Sequence, residues 1–406
     1  MKMKCVFLYA ASALLICLAG PAAAELYPAS VVLRPQTMCP AIVGVEGKDN
    51  VTVEVAEKYS VSDVELSDAS GTAVKLSGGN DGACAGKCVF KIPEGAHLKA
   101  GLYDLKTGAV KEGSTEKLSV LIPRSVWVRE EGNKEITFAL VSDPHVGDPR
   151  ASLSPSVETP TERRIKVYRA AAASGADFIL LTGDIVSVPG DYVNEYAQAY
   201  RELTENIKIP VFAAPGNHDL YSSSPTAKSA DGLNFWRKYF GPDHYEFNVD
   251  GFDFIVMNTY NWPLKYRNFM NQSLMESAGS YQQGAVGRKQ YEWLSETLAR
   301  ASGAKKKIIC VGHHTPPGNL AKTNVEGIVK PADVFELLKK YNIEAFIAGH
   351  VHTNTDSNVD GIREITTTSA SSHVGPGGDW GYKLCKTKDS ELTCSYIKVI
   401  DSKDMK

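Results

Sequence analysis

The chain has 406 residues, of which 43% are hydrophobic and 22% are charged, and its formal net charge at pH 7 is −3. These values are typical of a folded soluble protein, and the length leaves room for two domains. The mild negative charge gives no electrostatic footprint for a nucleic-acid partner. Composition leaves the oligomeric state open.

The first 24 residues have the pattern of a cleaved secretory signal. Lys2 and Lys4 precede the apolar run CVFLYAASALLICLAG, and the small residues PAAA end the segment. We expect cleavage after Ala24 and export to a secreted or periplasmic location. The run is too short for a membrane span, and no later segment reaches membrane length. A lipid anchor would use Cys17, but the bulky Ile16 before it argues against that.

Export would place six cysteines in oxidising surroundings, which permit disulfides. Two close pairs lie on turn-like segments, so CAGKC predicts a Cys84–Cys88 bridge and CKTKDSELTC predicts a Cys385–Cys394 bridge. A zinc ribbon would need tighter CxxC-type spacing. Cys310 lies in the apolar run IICVG, which favours a buried free thiol.

From about residue 29 to residue 128, short alternating segments such as NVTVEVA, VSDVELS and KLSVLIP are separated by glycine-rich and polar turns. The pattern predicts a small all-β, immunoglobulin-like sandwich over residues 25–130. Two roles stay open for it. It is either a targeting or substrate-positioning module, or a structural appendage that packs on the next domain.

Beyond residue 130, apolar runs alternate with helix-length amphipathic stretches. The runs are ITFALVS, DFILLTG, IPVFAAPG, FDFIVMN, KKIICVG and IEAFIAG. This alternation predicts an α/β domain over residues 131–406 with largely buried central strands. In such sheets, ligands gather at the carboxyl ends of the strands.

Polar side chains follow five of these runs, at the point where each predicted strand ends. They are Asp143 and His145, then Asp184, then Asn217, His218 and Asp219, then His313 and His314, and finally His350 and His352. A single histidine at a strand end is often only structural, but five strands that deliver such residues to one rim indicate a ligand site. Oxygen and imidazole ligands without thiolate favour Mn²⁺, Fe or Zn²⁺. There are more of them than one tetrahedral ion needs, so we expect two ions.

Two such ions can lower the pKa of a shared water and clamp an in-line displacement at phosphorus. In this reading Asn217 supplies a neutral oxygen ligand. Its neighbour His218 is then free to serve the reacting ester.

These residues stand in the motifs SDPH, TGD, PGNHD, VGHH and AGHVH, in that order. Together the motifs resemble those of the calcineurin-like metallophosphoesterase superfamily, and the resemblance excludes the amino-terminal region. It implies a four-layer αββα sandwich of two central sheets flanked by helices. It also implies two divalent ions (Mn, Fe or Zn) and hydrolysis of a small-molecule phosphate ester by a metal-bridging hydroxide.

Carried over position by position, the resemblance implies seven metal ligands. They are Asp143, His145 and His352 for one ion, Asn217, His313 and His350 for the other, and Asp184 as the bridge. His218 would protonate the leaving oxygen or stabilise charge on the phosphoryl group, and Asp219 would orient it. Counted from the prolines of HHTPP, His314 is an alternative ligand to His313. Otherwise His314 would face the substrate.

Within the superfamily, purple acid phosphatases have a tyrosine where Ser187 stands, so a tyrosinate-ligated centre is not expected. We expect phosphodiesters to be preferred, with phosphomonoesters as the alternative. In the segment TYNWPLKYRNFMNQSLMESAGSYQQG, Arg267 could bind a substrate phosphate and the aromatic rings could stack a base or cover an acyl chain. The alternative is that the rings only seal the loop.

Two non-enzymatic functions are alternatives to hydrolysis. A binding protein that had lost turnover would lack His218 or Asp184, and both are present. An adhesion protein would work through residues 25–130 alone.

Overall fold

The computed structural model describes residues 31–78, 83–130, 135–153, 158–224, 226, 230–372, 378–388 and 391–401. The predicted signal peptide, residues 1–24, lies outside the described residues. Within them, no helix has both the length and the apolar character needed to cross a membrane.

In the described part of the amino-terminal region there are ten strands. They are β1 Val32–Arg34, β2 Ala41–Gly44, β3 Asn50–Val55, β4 Tyr59–Ser67, β5 Ala73–Lys75, β6 Ser77–Gly78, β7 Cys84–Ala85, β8 Lys87–Lys91, β9 Gly101–Lys111 and β10 Lys117–Arg129. One sheet has the order β1-β3-β8-β6, and the other has the order β2-β10-β9-β4-β5 with β7 paired to β4. Alternate residues of β3, namely Val51, Val53 and Val55, are buried in a core that both sheets share. The all-β prediction is confirmed, while the immunoglobulin-like topology stays a prediction.

Eleven further strands form two more sheets. They are β11 Thr137–Val141, β12 Phe178–Thr182, β13 Val211–Ala214, β14 Tyr245–Val249, β15 Phe252–Val256, β16 Lys307–Val311, β17 Ala345–Ala348, β18 Thr355–Val359, β19 Ile362–Thr366, β20 Asp379–Lys388 and β21 Glu391–Asp401. The first sheet has the order β13-β12-β11-β20-β21 and the second β14-β15-β16-β17-β19-β18. The β11, β12 and β13 strands are parallel, as are β15, β16, β17 and β19.

The helices are α1 Pro160–Ala172, α2 Tyr192–Asn206, α3 Asn217–Leu220, α4 Gly232–Tyr239, α5 Gln272–Ala278, α6 Arg288–Gly303, α7 Pro316–Asn319 and α8 Pro331–Lys340. Short 3-10 helices cover Pro149–Leu153 and Leu264–Tyr266. The start of α1 is fixed by a capping box, in which Thr159 accepts from the backbone of Glu162 and the Glu162 side chain accepts from the backbone of Thr159.

Three cores hold this α/β region together. Between the two sheets, Phe138, Phe178 and Phe254 pack in an aromatic core. Helices α1 and α2 pack on the outer side of the first sheet, and α6 and α8 pack on the outer side of the second. The strands of the interior read as continuous apolar runs because both of their faces are covered. The α/β prediction is confirmed.

The amino-terminal sheets pack directly on this region. The carbonyl of Met38 accepts from the backbone nitrogen of Ala213 at 3.1 Å. Trp127 joins the core between the central sheets, and Arg129 pairs with Asp250 at 2.6 Å. The structure therefore shows the packing that a structural appendage requires.

Both predicted disulfides, Cys84–Cys88 and Cys385–Cys394, are confirmed. The prediction that Cys310 is a buried free thiol is also confirmed. Cys39 is a second buried free thiol.

Candidate metal centre

The carboxyl ends of parallel strands in both sheets deliver the predicted ligands to one place. In the first sheet, Asp143 follows β11, Asp184 follows β12 and Asn217 follows β13. In the second sheet, His313 follows β16 and His350 follows β17. Because the two sheets pack face to face, these strand ends meet at a common edge.

One group of predicted ligands surrounds Asp143. Its Oδ1 lies 3.2 Å from Nε2 of His352 and 3.8 Å from Nε2 of His145. The two imidazole Nε2 atoms are 3.2 Å apart. This spacing suits three ligand atoms around a single cation.

A second group surrounds Asp184. Its Oδ2 lies 3.1 Å from Nε2 of His313 and 3.6 Å from Nε2 of His145. The other nitrogen of His313, Nδ1, lies 2.7 Å from the carbonyl of Thr182. Because a carbonyl can only accept, Nδ1 carries the proton and Nε2 presents its lone pair to the centre. The ring of His350 is 5.2 Å from that of His313.

Several buried atoms at the centre have no hydrogen-bond partner among the described residues. They are Oδ1 of Asn217, Nδ1 of His145, Nε2 of His313 and Nε2 of His314. Such orphaned atoms are rare in native interiors. The amide nitrogen of Asn217 donates to the hydroxyl of Tyr221 at 2.7 Å, so its oxygen is the atom turned to the centre. Oxygen and imidazole donors of this kind fit divalent Mn, Fe or Zn.

Among the described residues, four overlapping groups of three side chains could each hold a metal ion. They are His313, His314 and His350; Asp143, His145 and His352; His145, Asp184 and His218; and Asp143, Asp184 and His313. All but three residues of the predicted site belong to at least one group. The exceptions are Asp219, Arg267 and Asn217, and the last of these has no titratable ligand atom. His313 and His314 both reach the centre, which keeps His314 as an alternative ligand.

Five predicted ligands have a left-handed backbone. The φ angles are +51° at Asp143, +45° at His145, +50° at Asp184, +71° at His350 and +51° at His352. Each such residue other than glycine costs on the order of 1–3 kcal/mol, and such residues cluster at functional sites. The tight turns after the strands therefore direct these side chains to one place. The strained backbone at these positions lowers the stability of the fold.

Two motif glycines are needed for close approach. At Gly349 an added Cβ would lie 2.7 Å from the carbonyl of Thr182 and 2.8 Å from Oδ2 of Asp143. At Gly183, where φ is +87°, it would lie 2.7 Å from Nδ1 of His313. The glycines of AGHVH and TGD thus let the backbone approach the side chains of Asp143 and His313 closely.

The electrostatics keep both buried carboxylates ionised. Burial alone would raise the pKa of Asp143 and of Asp184, but the neighbouring imidazoles outweigh burial and hold both pKa values below the ordinary range. Burial likewise favours a lower pKa for His313, yet the charge of Asp184 raises it to about 9, so a metal ion that binds at Nε2 would displace a proton from it. Two ionised carboxylates in a buried site are what a divalent cation requires.

His218 faces this centre with its imidazole, which is held by a backbone carbonyl rather than by a predicted ligand. Its backbone nitrogen donates to Oδ1 of Asp184 at 2.8 Å, and its ring lies 4.8 Å from that of His145. Its Nδ1 donates to the carbonyl of Ser187 at 2.7 Å. The remaining nitrogen, Nε2, is therefore the atom that can exchange a proton. Burial chiefly lowers the pKa of His218 to about 4.

The structure corrects the role predicted for Asp219. Its carboxylate accepts from the backbone nitrogens of Ile185 at 2.8 Å, Val186 at 3.0 Å and Gly216 at 2.8 Å. It therefore ties together the loops after β12 and β13. The carbonyl of Ser187, not Asp219, orients the imidazole of His218.

Sequence reasoning missed Glu195, which is 3% exposed. Its Oε2 accepts from the backbone nitrogens of Ser187 at 2.9 Å and Val188 at 3.0 Å. Glu195 thereby fixes the peptide whose carbonyl holds His218. A signal was present, because Glu195 falls on the face of α2 that buries Tyr192, Tyr196 and Leu203.

The prediction that Arg267 binds a substrate phosphate is wrong. The arginine is 4% exposed and pairs through Nη1 and Nη2 with Asp231 at 2.5 and 3.1 Å. Its Nε donates to the carbonyl of Trp262 at 3.0 Å. With these donors engaged inside the protein, Arg267 fastens its loop to the start of α4.

Comparison with known proteins agrees with this geometry. Residues 136–354 match the family model of calcineurin-like phosphoesterases. A sphingomyelinase phosphodiesterase C of Dictyostelium discoideum is 30% identical over 47% of this chain and 47% of that protein. A 3′,5′-cyclic adenosine monophosphate phosphodiesterase, CpdA of Haemophilus influenzae, is 22% identical over 47% of this chain and 60% of that protein. The chain spans about half the length of the curated relatives it matches.

Among solved structures, a purple acid phosphatase from yellow lupin seeds is similar, with a TM-score of 0.49 and 16% identity. The match covers 89% of this chain and 71% of that one.

Proposed function

We propose, from the premise that the chain belongs to the calcineurin-like phosphoesterase family, that it is an exported phosphodiesterase with two divalent ions. Hydrolysis of phosphate esters follows from the family itself. The number of ions, the preference for diesters and the export are the proposed part.

One observation carries the proposal of two ions. Oδ2 of Asp184 lies between the histidines of the two groups, 3.6 Å from Nε2 of His145 and 3.1 Å from Nε2 of His313. A carboxylate in that position can serve both ions and offset their charge. The ions would be held by Asp143, His145 and His352 on one side and by Asn217, His313 and His350 on the other.

When bound, such ions lower the pKa of a coordinated water and offset the charge of the phosphoryl group. The side chains of the protein do the rest. His218, with Nδ1 fixed on Ser187, turns Nε2 to the substrate, and it can give a proton to the leaving oxygen only in the protonated form, which its low pKa disfavours at neutral pH. His314, buried with a free Nε2, either completes the second ligand set or meets an oxygen of the substrate. Asp219 and Glu195 hold the loops that carry these groups.

Two further observations support the finer parts of the proposal. The relatives from Dictyostelium discoideum and Haemophilus influenzae are both named phosphodiesterases, which favours diesters over monoesters. The bridges Cys84–Cys88 and Cys385–Cys394 favour an oxidising compartment, in agreement with the predicted signal peptide.

The test is hydrolysis by the chain from residue 25 onward, with bound metals counted first. We expect bis-p-nitrophenyl phosphate to be cleaved faster than p-nitrophenyl phosphate when Mn²⁺ is present. A variant with His218→Ala should lose about 10²- to 10⁴-fold in kcat while keeping its metal content. Turnover that survives complete removal of metal would refute the proposal. Faster cleavage of the monoester would show instead that the protein is a phosphomonoesterase.

A further inference from the structure

Tyr221 is a buried tyrosine that lies one helical turn after the predicted ligand Asn217. Residues four positions apart lie on the same face of a helix, and the short helix α3 brings the two side chains together in this way. The hydroxyl of Tyr221 lies 2.7 Å from the amide nitrogen of Asn217 and 2.6 Å from the carbonyl oxygen of Tyr281. One buried hydroxyl therefore joins a predicted metal ligand to a segment 60 residues further along the chain.

The carbonyl of Tyr281 is a fixed hydrogen-bond acceptor. On one side of it, the carbonyl of Ser280 accepts from the hydroxyl of Tyr260. On the other side, the carbonyl of Gln283 accepts from Nε1 of Trp262 at 2.9 Å. Tyr260 and Trp262 are both buried. The backbone around Tyr281 is thus held from both sides, and its carbonyl keeps one direction.

A fixed acceptor determines where the proton of the Tyr221 hydroxyl points. A carbonyl can only accept, so the single proton of this hydroxyl is donated to Tyr281. The hydroxyl oxygen is then left to accept, and it can accept from Asn217 only through the amide nitrogen. The amide oxygen of Asn217 must therefore point the other way, into the centre, where it has no hydrogen-bond partner among the described residues.

No other hydrogen bond among the described residues fixes the side chain of Asn217. The two ends of an amide have nearly the same shape, so packing alone does not select between them. The choice between oxygen and nitrogen at the centre consequently depends on Tyr221.

We propose that Tyr221 is a positioning residue, which selects the orientation of the Asn217 amide and so makes Asn217 an oxygen ligand. This proposal rests on the two-ion centre of the proposed function, because it concerns the ion that Asn217 would share with His313 and His350. An amide turned the other way would present an NH₂ group, which donates hydrogen bonds and repels a cation. The hydroxyl of Tyr221 would therefore set the affinity for one of the two ions without contacting it.

The ring of Tyr221 makes contacts that are separate from those of its hydroxyl. It lies 5.2 Å from the ring of His218, 5.6 Å from that of Tyr260 and 5.3 Å from that of Phe269. Tyr221→Phe keeps this ring and removes only the hydroxyl. The variant therefore separates the orientation of Asn217 from the packing around His218.

The test is the binding of Mn²⁺ to the metal-free chain from residue 25 onward, measured by isothermal titration calorimetry and by electron paramagnetic resonance. Wild type should bind two ions. Tyr221→Phe should bind one ion as wild type does and the other about 10- to 100-fold more weakly, the usual range when a hydrogen-bond partner of a metal ligand is removed. At a Mn²⁺ concentration that fills wild type, the variant should show the spectrum of an isolated ion rather than that of a coupled pair.

The matched control is Tyr260→Phe, which also removes a buried hydroxyl that donates to a carbonyl of the same segment. Among the described residues, that hydroxyl makes no hydrogen bond to a predicted ligand, so this variant should bind both ions as wild type does. A second comparison uses the Asn217→Asp background, in which both ends of the side chain are oxygens. There, adding Tyr221→Phe should leave the affinity for Mn²⁺ nearly unchanged, because orientation no longer matters.

The other outcomes distinguish this proposal from the one on which it rests. If Tyr221→Phe binds both ions as tightly as wild type, Tyr221 does not position Asn217. Equal losses in Tyr221→Phe and Tyr260→Phe, or a loss that persists in the Asn217→Asp background, would show that the hydroxyl only supports the fold. A wild-type protein that binds fewer than two ions would overturn the two-ion centre, and this proposal with it.

Discussion

Replacing Gly349 by alanine tests whether the centre depends on the close approach of backbone and ligand. The added Cβ would lie 2.7 Å from the carbonyl of Thr182 and 2.8 Å from Oδ2 of Asp143, and it would also press on Oγ of Ser142. The backbone of Gly349 is not left-handed, so steric overlap is the only penalty. Oγ of Ser142 and Oδ2 of Asp143 are side-chain atoms, but both are buried and hydrogen-bonded to each other, so neither can move away without breaking that bond.

The size of the effect follows from these distances. An ordinary contact between such atoms is about 3.5 Å, so the carboxylate of Asp143 and the carbonyl of Thr182 must each give way by about 0.7–0.8 Å, and Oγ of Ser142 by more. Overpacking of this kind costs about 1–3 kcal/mol of stability. A misplacement of about 1 Å can lower turnover by about 10²-fold, so we expect turnover to fall by roughly 10- to 100-fold.

The assay measures metal content, melting temperature and hydrolysis of bis-p-nitrophenyl phosphate for the variant. The matched control is Gly303→Ala at the end of α6, where an added Cβ meets nothing within 4 Å. That control should be neutral or slightly stabilising. If Gly349→Ala keeps the metal content, stability and turnover of Gly303→Ala, the steric reasoning is refuted.

Three further predictions concern single residues. Asp184→Asn should deplete bound metal as well as activity, measured by elemental analysis, and full metal occupancy would show that the bridge is misplaced. His313→Ala should lose more metal than His314→Ala, because Nε2 of His313 lies 3.1 Å from Asp184, and the reverse order would exchange their roles. For Glu195, burial raises the pKa from 4.5 to about 7, so its stabilising contribution is complete below pH 4.5 and is lost as pH rises through 7. The stability advantage of wild type over Glu195→Gln in denaturant unfolding should therefore be larger at pH 5 than at pH 8, and an advantage independent of pH would contradict this.

The strand ends were predictable because one physical rule covers them. Continuous apolar runs predict strands buried on both faces, and their order along the chain places their carboxyl ends at one edge. Asp143, Asp184 and His350 could therefore be grouped without coordinates. The disulfides were predictable for a similar reason, since Cys84 and Cys385 each have a partner within one short turn.

The sequence could not predict whether a polar side chain points into the protein or toward solvent. Arg150 lies in the 3-10 helix Pro149–Leu153 and Arg267 directly follows the 3-10 helix Leu264–Tyr266, and nothing in their spacing separates them. The structure does, because Asp231 engages both Nη atoms of Arg267 inside the protein, while Asp148 takes only the Nε of Arg150. The charge of Arg267 is therefore buried with a partner, whereas the side chain of Arg150 is 57% exposed.

The structure likewise separates the roles of the polar residues around His218, which the sequence could not predict. A carboxylate beside a histidine in sequence suggests a direct pair, yet Asp219 binds backbone nitrogens and Glu195 acts through the peptide of Ser187. A carbonyl can only accept, so it fixes the proton on Nδ1 without adding a negative charge next to the imidazole. An ionised aspartate at that place would raise the pKa of His218 and compete with the centre for cations. A backbone carbonyl held by a more distant carboxylate therefore keeps Nε2 of His218 free for the substrate.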